Sequence, residues 1–199
     1  IILKKGNYSI DAPIYMYGGN HADKLSGEQM SVRPTLKFSN NGIITSRSSS
    51  SNSKLYYSLY FENIAMELTP QLCIEGAGIY FDNTYSRLDV TTAQNLGSTP
   101  IKSSGLFKVE RSEIHLRIRN SSSYICYCGI DCTTIEIDDS SISLQNECSS
   151  TQGAGGADLN FIYNTFATGY IRNSKLTGQG NGRTNFINGK VTIDECDIT

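Results

Sequence analysis

The decapeptide Ile135-Glu136-Ile137-Asp138-Asp139-Ser140-Ser141-Ile142-Ser143-Leu144, IEIDDSSISL, sets two adjacent carboxylates between runs in which apolar and polar residues alternate. Alternation with a period of two marks a strand with one buried face. The Asp-Asp step is then either a pair of catalytic acids or the polar corner between two short strands, because Asp is a common turn residue. The rest of the chain separates these readings, since the decapeptide is one copy of a pattern.

Six hexapeptides share its layout: FENIAM (61–66), FDNTYS (81–86), VERSEI (109–114), IDDSSI (137–142), IRNSKL (171–176) and IDECDI (193–198). Their first residues, the anchors Phe61, Phe81, Val109, Ile137, Ile171 and Ile193, are all apolar and lie 20, 28, 28, 34 and 22 residues apart. Two positions on stand Asn63, Asn83, Arg111, Asp139, Asn173 and Glu195. Half of these are Asn, which after Gly best tolerates a left-handed backbone, so this column predicts a tight corner. A mostly small column follows (Ile64, Thr84, Ser112, Ser140, Ser174, Cys196). Two residues further come Met66, Ser86, Ile114, Ile142, Leu176 and Ile198, apolar except at Ser86. A shorter echo, NFIYN at 160–164 and NFING at 185–189, is offset by 25 residues.

Strand, corner and strand recurring every 20 to 34 residues, with no long apolar helical stripe after residue 58, predict coils that stack about 4.8 Å apart and pair their backbones. An antiparallel sandwich would also supply many short strands, but it calls for hairpin turns and no columns. The sequence resembles the right-handed parallel β-helix of pectate lyases, polygalacturonases and bacteriophage tailspikes. Residues 58–199 carry that resemblance as β-helix coils. Residues 1–57 are expected to form an N-terminal strand, loop and first coil: ILKKGNYSIDAPIYM is similar to the Gly-x-Tyr opening strand of that superfamily, and PTLKFSNNGIIT would be the first coil. The insertions TTAQNLGSTPIKSSG and CSSTQGAGGADLN are expected as polar loops at corners. Both ends fall within strand-like runs, so the chain reads as part of a longer solenoid.

Seventeen basic and nineteen acidic residues leave a net charge of -2, which argues against a nucleic-acid footprint or an anionic-membrane surface. No apolar run approaches the roughly 18 residues needed to span a bilayer. Cys73, Cys126, Cys128, Cys132, Cys148 and Cys196 include CYCGIDC, a C-x-C-x3-C spacing without the paired C-x2–4-C units of structural zinc. Buried free thiols are the expectation, with no metal and no cofactor.

The column after the anchor should face outwards: Glu62, Asp82, Glu110, Asp138, Arg172 and Asp194. Like charges one coil apart repel, so these carboxylates either splay into water or line an acidic groove for a sugar polymer. In the second reading Asp138 and Asp194, two coils apart at about 9.6 Å, flank Arg172 near the carboxyl spacing of an inverting glycosidase. Glu110 and Asp138, on successive coils, approach the retaining distance. These four are the candidate catalytic residues. In the column before the anchor, Tyr60, Tyr80, Tyr170 and Lys108 are the candidate substrate contacts, tyrosine offering a flat face and a hydroxyl to sugar rings.

Resemblance to polygalacturonases implies Asn-Thr-Asp, Asp-Asp, Gly-His-Gly and Arg-Ile-Lys in that order. This chain has NTY at 83–85, the pair at 138–139, no Gly-His-Gly, and RIR at 117–119 ahead of the pair, so that catalytic set is not met. Neither His21 nor His115 neighbours a Ser or Cys nucleophile in sequence, which leaves triad chemistry without support at this level. The resemblance implies a carbohydrate-recognising β-helix of a tailspike-like or adhesin-like protein, extracellular, on a cell surface or on a virion. It would bind polysaccharide; lyase or glycosidase activity and a purely structural rod are the alternatives. Tailspike resemblance further implies a homotrimer.

Overall fold

The computed structural model of the chain describes residues 1–10, 14–16, 23–28, 33–38, 44–46, 58–68, 74–92, 101–120, 128–147, 159–180 and 184–199. Every strand pairing is parallel, and no helix occurs among the described residues. The strands fall into three stacks.

The first stack runs Ile2–Leu3, Asp23–Gly27, Ser58–Glu62, Gly78–Asp82, Leu106–Glu110 and Thr134–Asp138, then the C-terminal ends of Leu159–Arg172 and Thr184–Asp194. The second runs from Asn7–Ile10 and Thr35–Phe38 through Ala65–Leu68, Tyr85–Thr92, Glu113–Asn120, Ser141–Asn146 and Lys175–Gly180 to Asp197–Ile198. The third consists of Ile14–Met16, Ile44–Ser46, Ile74–Gly76, Ile101–Ser103 and Cys128–Asp131, followed by the N-terminal ends of the two long strands. Those long strands belong to two stacks at once, which joins the first and third into one 13-stranded sheet beside an 8-stranded one. Parallel strands in stacked sheets are consistent with a β-solenoid. Segments on either side of residue 57 pair directly, Asp23–Gly27 with Ser58–Glu62 and Thr35–Phe38 with Ala65–Leu68.

From Ser58–Glu62 onward, six rungs pass from the first to the second stack through the expected corner. Asn63, Asn83, Arg111, Asp139, Asn173 and Glu195 all have positive φ, from 46° to 54°. Such backbone is unfavourable for a side chain other than Gly, Asn or Asp, and here it is supported from outside the corner. Asn83 Nδ2 donates to Asn63 Oδ1 at 2.9 Å, and Arg33 donates to Asn83 Oδ1 at 2.5 Å.

The small column behind the corner is a hydrogen-bonded staircase. Ser112, Ser140 and Ser174 each donate their hydroxyl to the carbonyl two residues back, at 2.6 to 2.7 Å. Each also accepts the backbone N–H of the rung before: Thr84 N to Ser112 at 3.0 Å, Ser112 N to Ser140 at 3.1 Å, Ser140 N to Ser174 at 3.1 Å. At the last rung Cys196 replaces serine, its thiol directed at Asp194 O at 3.1 Å. Ser140→Ala strips the partner from the buried N–H of Ser112, which costs about 1–3 kcal/mol. The expected result is a Tm about 2–12 °C lower with an unchanged far-UV spectrum; an unaltered Tm contradicts the staircase as a stabilising element.

The anchors fill the interior: Phe61, Phe81, Val109, Ile137 and Ile171 are buried, and only Ile193, on the last rung, is exposed. Met66, Ile114, Ile142 and Leu176 bury the facing column. Ser86 interrupts it, and its buried hydroxyl has no partner. Cys132 is a buried free thiol pushed up to about 12 by burial, and Cys196 is free and half-buried. Cys73, Cys126, Cys148, His21 and most of the two long insertions lie outside the described residues. Among the described residues no group of His, Cys, Asp or Glu is placed to hold a metal ion.

Candidate functional site

Parallel pairing in register converts the two outward columns into ladders on the first stack. One reads Lys24, Tyr60, Tyr80, Lys108, Glu136, Tyr170, Thr192; the other reads Ser26, Glu62, Asp82, Glu110, Asp138, Arg172, Asp194. Neighbouring rungs are about 4.8 Å apart, so long side chains on one rung reach the next.

Four of the five carboxylates of the acidic ladder have a basic partner among the described residues. Lys24 pairs with Glu62, Arg111 reaches back from its corner to Asp82 at 2.5 Å, and Lys108 holds Glu110 at 2.9 Å and Glu136 at 3.7 Å. Arg172 donates to Asp138 Oδ2 at 2.7 Å, and Asn173 adds a bond to Oδ1 at 3.3 Å. Asp194 is exposed and makes no ion pair among the described residues. Glu62 and Asp82 belong to the acidic column but not to the four catalytic candidates, and Lys24 and Arg111 carry no sequence signal for the site. Arg111 could be recognised only as a corner, and Lys24 precedes the first recognisable repeat.

Tyr60 and Tyr80 lie face to face, with ring centroids 4.0 Å apart and planes 5° from parallel. One face of each ring is therefore spent on the other, and the pair presents two adjacent hydroxyls and two outer faces. Gly78 makes room for this: a Cβ there would sit 2.8 Å from the Tyr80 ring and 2.8 Å from Ser58 Oγ. Burial, and then the neighbouring Tyr60 hydroxyl, push the Tyr80 phenol up, so it stays a neutral donor. Around the pair a depression of about 270 Å³ opens, edged by Lys24, Lys108, Glu62, Asp82 and Glu110. Its lysines donate, its carboxylates accept, and the Glu110 carboxylate bonded to Lys108 keeps that ammonium charged.

Of the sequence-derived candidates, Tyr60, Tyr80, Lys108 and Glu110 come together in this depression. Tyr170 stands three rungs beyond Tyr80, with the Arg172 guanidinium 5.1 Å over its ring. Arg172 does lie in register between Asp138 and Asp194. Its hydrogen bond holds the Asp138 carboxyl below the usual carboxylate range, aided by Asn173 and opposed by partial desolvation. A general acid needs the opposite shift, so Asp138 is suited to act as a base or as a charge stabiliser.

The sign of the Asp138 shift fixes a pH dependence. A depressed native pKa contributes stability above the unfolded value of about 3.9 and loses it as pH falls through the native one. The Tm difference between wild type and Asp138→Asn should hold from neutral pH to about 4 and close below it. A difference independent of pH contradicts the pairing.

A second, broader hollow of about 650 Å³ follows the corners past Arg111, Asp139, Asn173 and Glu195. Asp139 is exposed there with φ 46°; it and Asp138 leave the chain on different faces. No family, no curated protein and no solved structure matches this chain. No helix among the described residues is long and apolar enough to cross a membrane.

Proposed function

We propose that this chain is a carbohydrate-recognising right-handed parallel β-helix of a tailspike-like or adhesin-like surface protein. It binds extracellular or cell-surface polysaccharide along the outward face of its first stack. The observation that carries the reading is the face-to-face Tyr60–Tyr80 pair in a depression rimmed by two lysines and three carboxylates. Sugar rings need an apolar face beneath their C–H side and donors and acceptors around their hydroxyls. The outer tyrosine faces, their two hydroxyls and the charged rim supply both kinds of contact. Neighbouring rungs repeat at a fixed spacing, so a polymer lying along the ladders would meet Tyr60, Tyr80 and Lys108 first and Tyr170 further on. Extracellular or virion placement and trimer formation belong to the same reading by resemblance.

A second reading, cleavage of the bound polymer, rests on the register that sets Arg172 between Asp138 and Asp194 with Glu110 one rung before. Affinity electrophoresis against bacterial capsular and plant polysaccharides tests binding. Reducing-end release and the absorbance of unsaturated sugars test glycosidase and lyase action on the same panel. Retardation by at least one polysaccharide is expected. Retardation without products rejects cleavage, and no retardation across the panel rejects the carbohydrate reading.

A further inference from the structure

The second stack carries an arrangement invisible in the sequence. Glu113 and His115 lie two residues apart on one outward face, and Ser143 is the register partner of His115 on the next rung. His115 Nε2 is 2.6 Å from Glu113 Oε1, and His115 Nδ1 is 2.6 Å from Ser143 Oγ. A carboxylate can only accept, so Nε2 carries the hydrogen towards Glu113. In the neutral imidazole Nδ1 is then an acceptor, and the Ser143 hydroxyl must donate to it. The hydroxyl proton is thus already aimed at a base whose tautomer is fixed by a third group, which is the logic of an activated serine. Tyr85 flanks the imidazole, its ring centroid 5.6 Å away. The His115 side chain is 36% exposed, so an outside ester can reach it.

From this geometry we infer a second site, an acyl-transfer centre in which Ser143 is the nucleophile, His115 the base and Glu113 the residue that positions it. Ser143 Oγ attacks the carbonyl carbon of a carboxylic ester while its proton passes to His115 Nδ1. The tetrahedral adduct expels the alcohol oxygen, which takes that proton, and leaves acyl-Ser143. Water, deprotonated by the same nitrogen, then attacks the acyl carbonyl; the carboxylic acid departs and the proton returns to Ser143. Lys175 pairs with Ser141 on the rung beyond, about 8 Å from Ser143 by rung spacing and strand rise, and is 58% exposed beside Asp197. The surroundings of Ser143 are polar (Ser141, Gln145, Thr177), which suits a short acyl group such as acetyl on a hydroxyl-rich alcohol. That the alcohol is a carbohydrate rests on the function proposed above; the acyl-transfer centre does not.

The test is labelling of the full chain with a fluorophosphonate probe, with the site located by peptide mass spectrometry, alongside hydrolysis of p-nitrophenyl acetate. One label on Ser143 is expected, lost in Ser143→Ala. Hydrolysis should fall at least about 100-fold in Ser143→Ala and in His115→Phe. Glu113→Gln should lower kcat with KM unchanged, the pattern of a lost tautomer and not of a lost contact. No label on Ser143, or hydrolysis by Ser143→Ala at the wild-type rate, overturns the proposal. Neither assay contains a glycan, so a protein that labels at Ser143 and binds no polysaccharide contradicts only the carbohydrate reading, and the converse result contradicts only this one.

Discussion

Replacing Phe81 by alanine should lower stability by about 3–5 kcal/mol, the range for emptying a buried phenylalanine site. Phe81 is an anchor of the first stack and 1% exposed. Its ring stacks on Phe61 at 5.1 Å and meets the edge of Phe107 at 6.0 Å, so one truncation removes two aromatic contacts along with the buried area. The hole cannot close by sliding a strand, because each residue of Gly78–Asp82 is paired with Ser58–Glu62, and most of it with Leu106–Glu110 on the other side. For a chain of this size the loss corresponds to about 6–20 °C in Tm. Thermal unfolding followed at 218 nm checks it. A shift below about 2 °C would mean that the rungs do not share one packed interior.

The second large effect is expected at Gly169, which looks innocuous in the run ATGYIR. It sits within the strand Leu159–Arg172 with φ of +134°, a conformation that L residues avoid. A Cβ there would fall inside the van der Waals surface of the Ile135 carbonyl oxygen, 2.9 Å from the carbonyl carbon and 3.0 Å from the nitrogen. All three atoms are backbone, so no side chain can turn aside. Gly169→Ala therefore bears about 1–3 kcal/mol of conformational strain and, in addition, the displacement of a rung-to-rung pairing. Because Glu136↔Tyr170 and Asp138↔Arg172 follow directly, the variant should also loosen the Arg172–Asp138 pair. Its Tm should drop by more than that of Ser140→Ala. A Tm within 1 °C of wild type would contradict the close approach.

The corner was legible because it is a backbone requirement with a compositional trace: Asn63, Asn83 and Asn173 set the column, and Arg111 and Glu195 were carried into it by alignment. All six residues adopt the left-handed conformation. The inward and outward columns were legible for the same reason that registers are specific, a period of two with one face buried. The third stack was not, since Ile74–Gly76 and Ile101–Ser103 are too short to display any period. Its trace was the echo of NFIYN and NFING, where Asn160 pairs with Asn185 and Ile162 with Ile187. The partners of the charged residues were hidden too. Arg111–Asp82 and His115–Ser143 join residues 29 and 28 apart, across insertions whose length alone does not fix register. The question raised by IEIDDSSISL is settled in that way: Asp139 turns the chain, and Asp138 answers to Arg172 on the next rung.

The proposed carbohydrate recognition by the Tyr60–Tyr80 face is tested on a glycan array probed with wild type and with the double variant Tyr60→Ala/Tyr80→Ala. Wild type is expected to bind at least one glycan class and the double variant to bind it at least tenfold more weakly, about 1.4 kcal/mol, while keeping its far-UV spectrum. Equal binding by the two proteins, or no glycan bound by either, would contradict it.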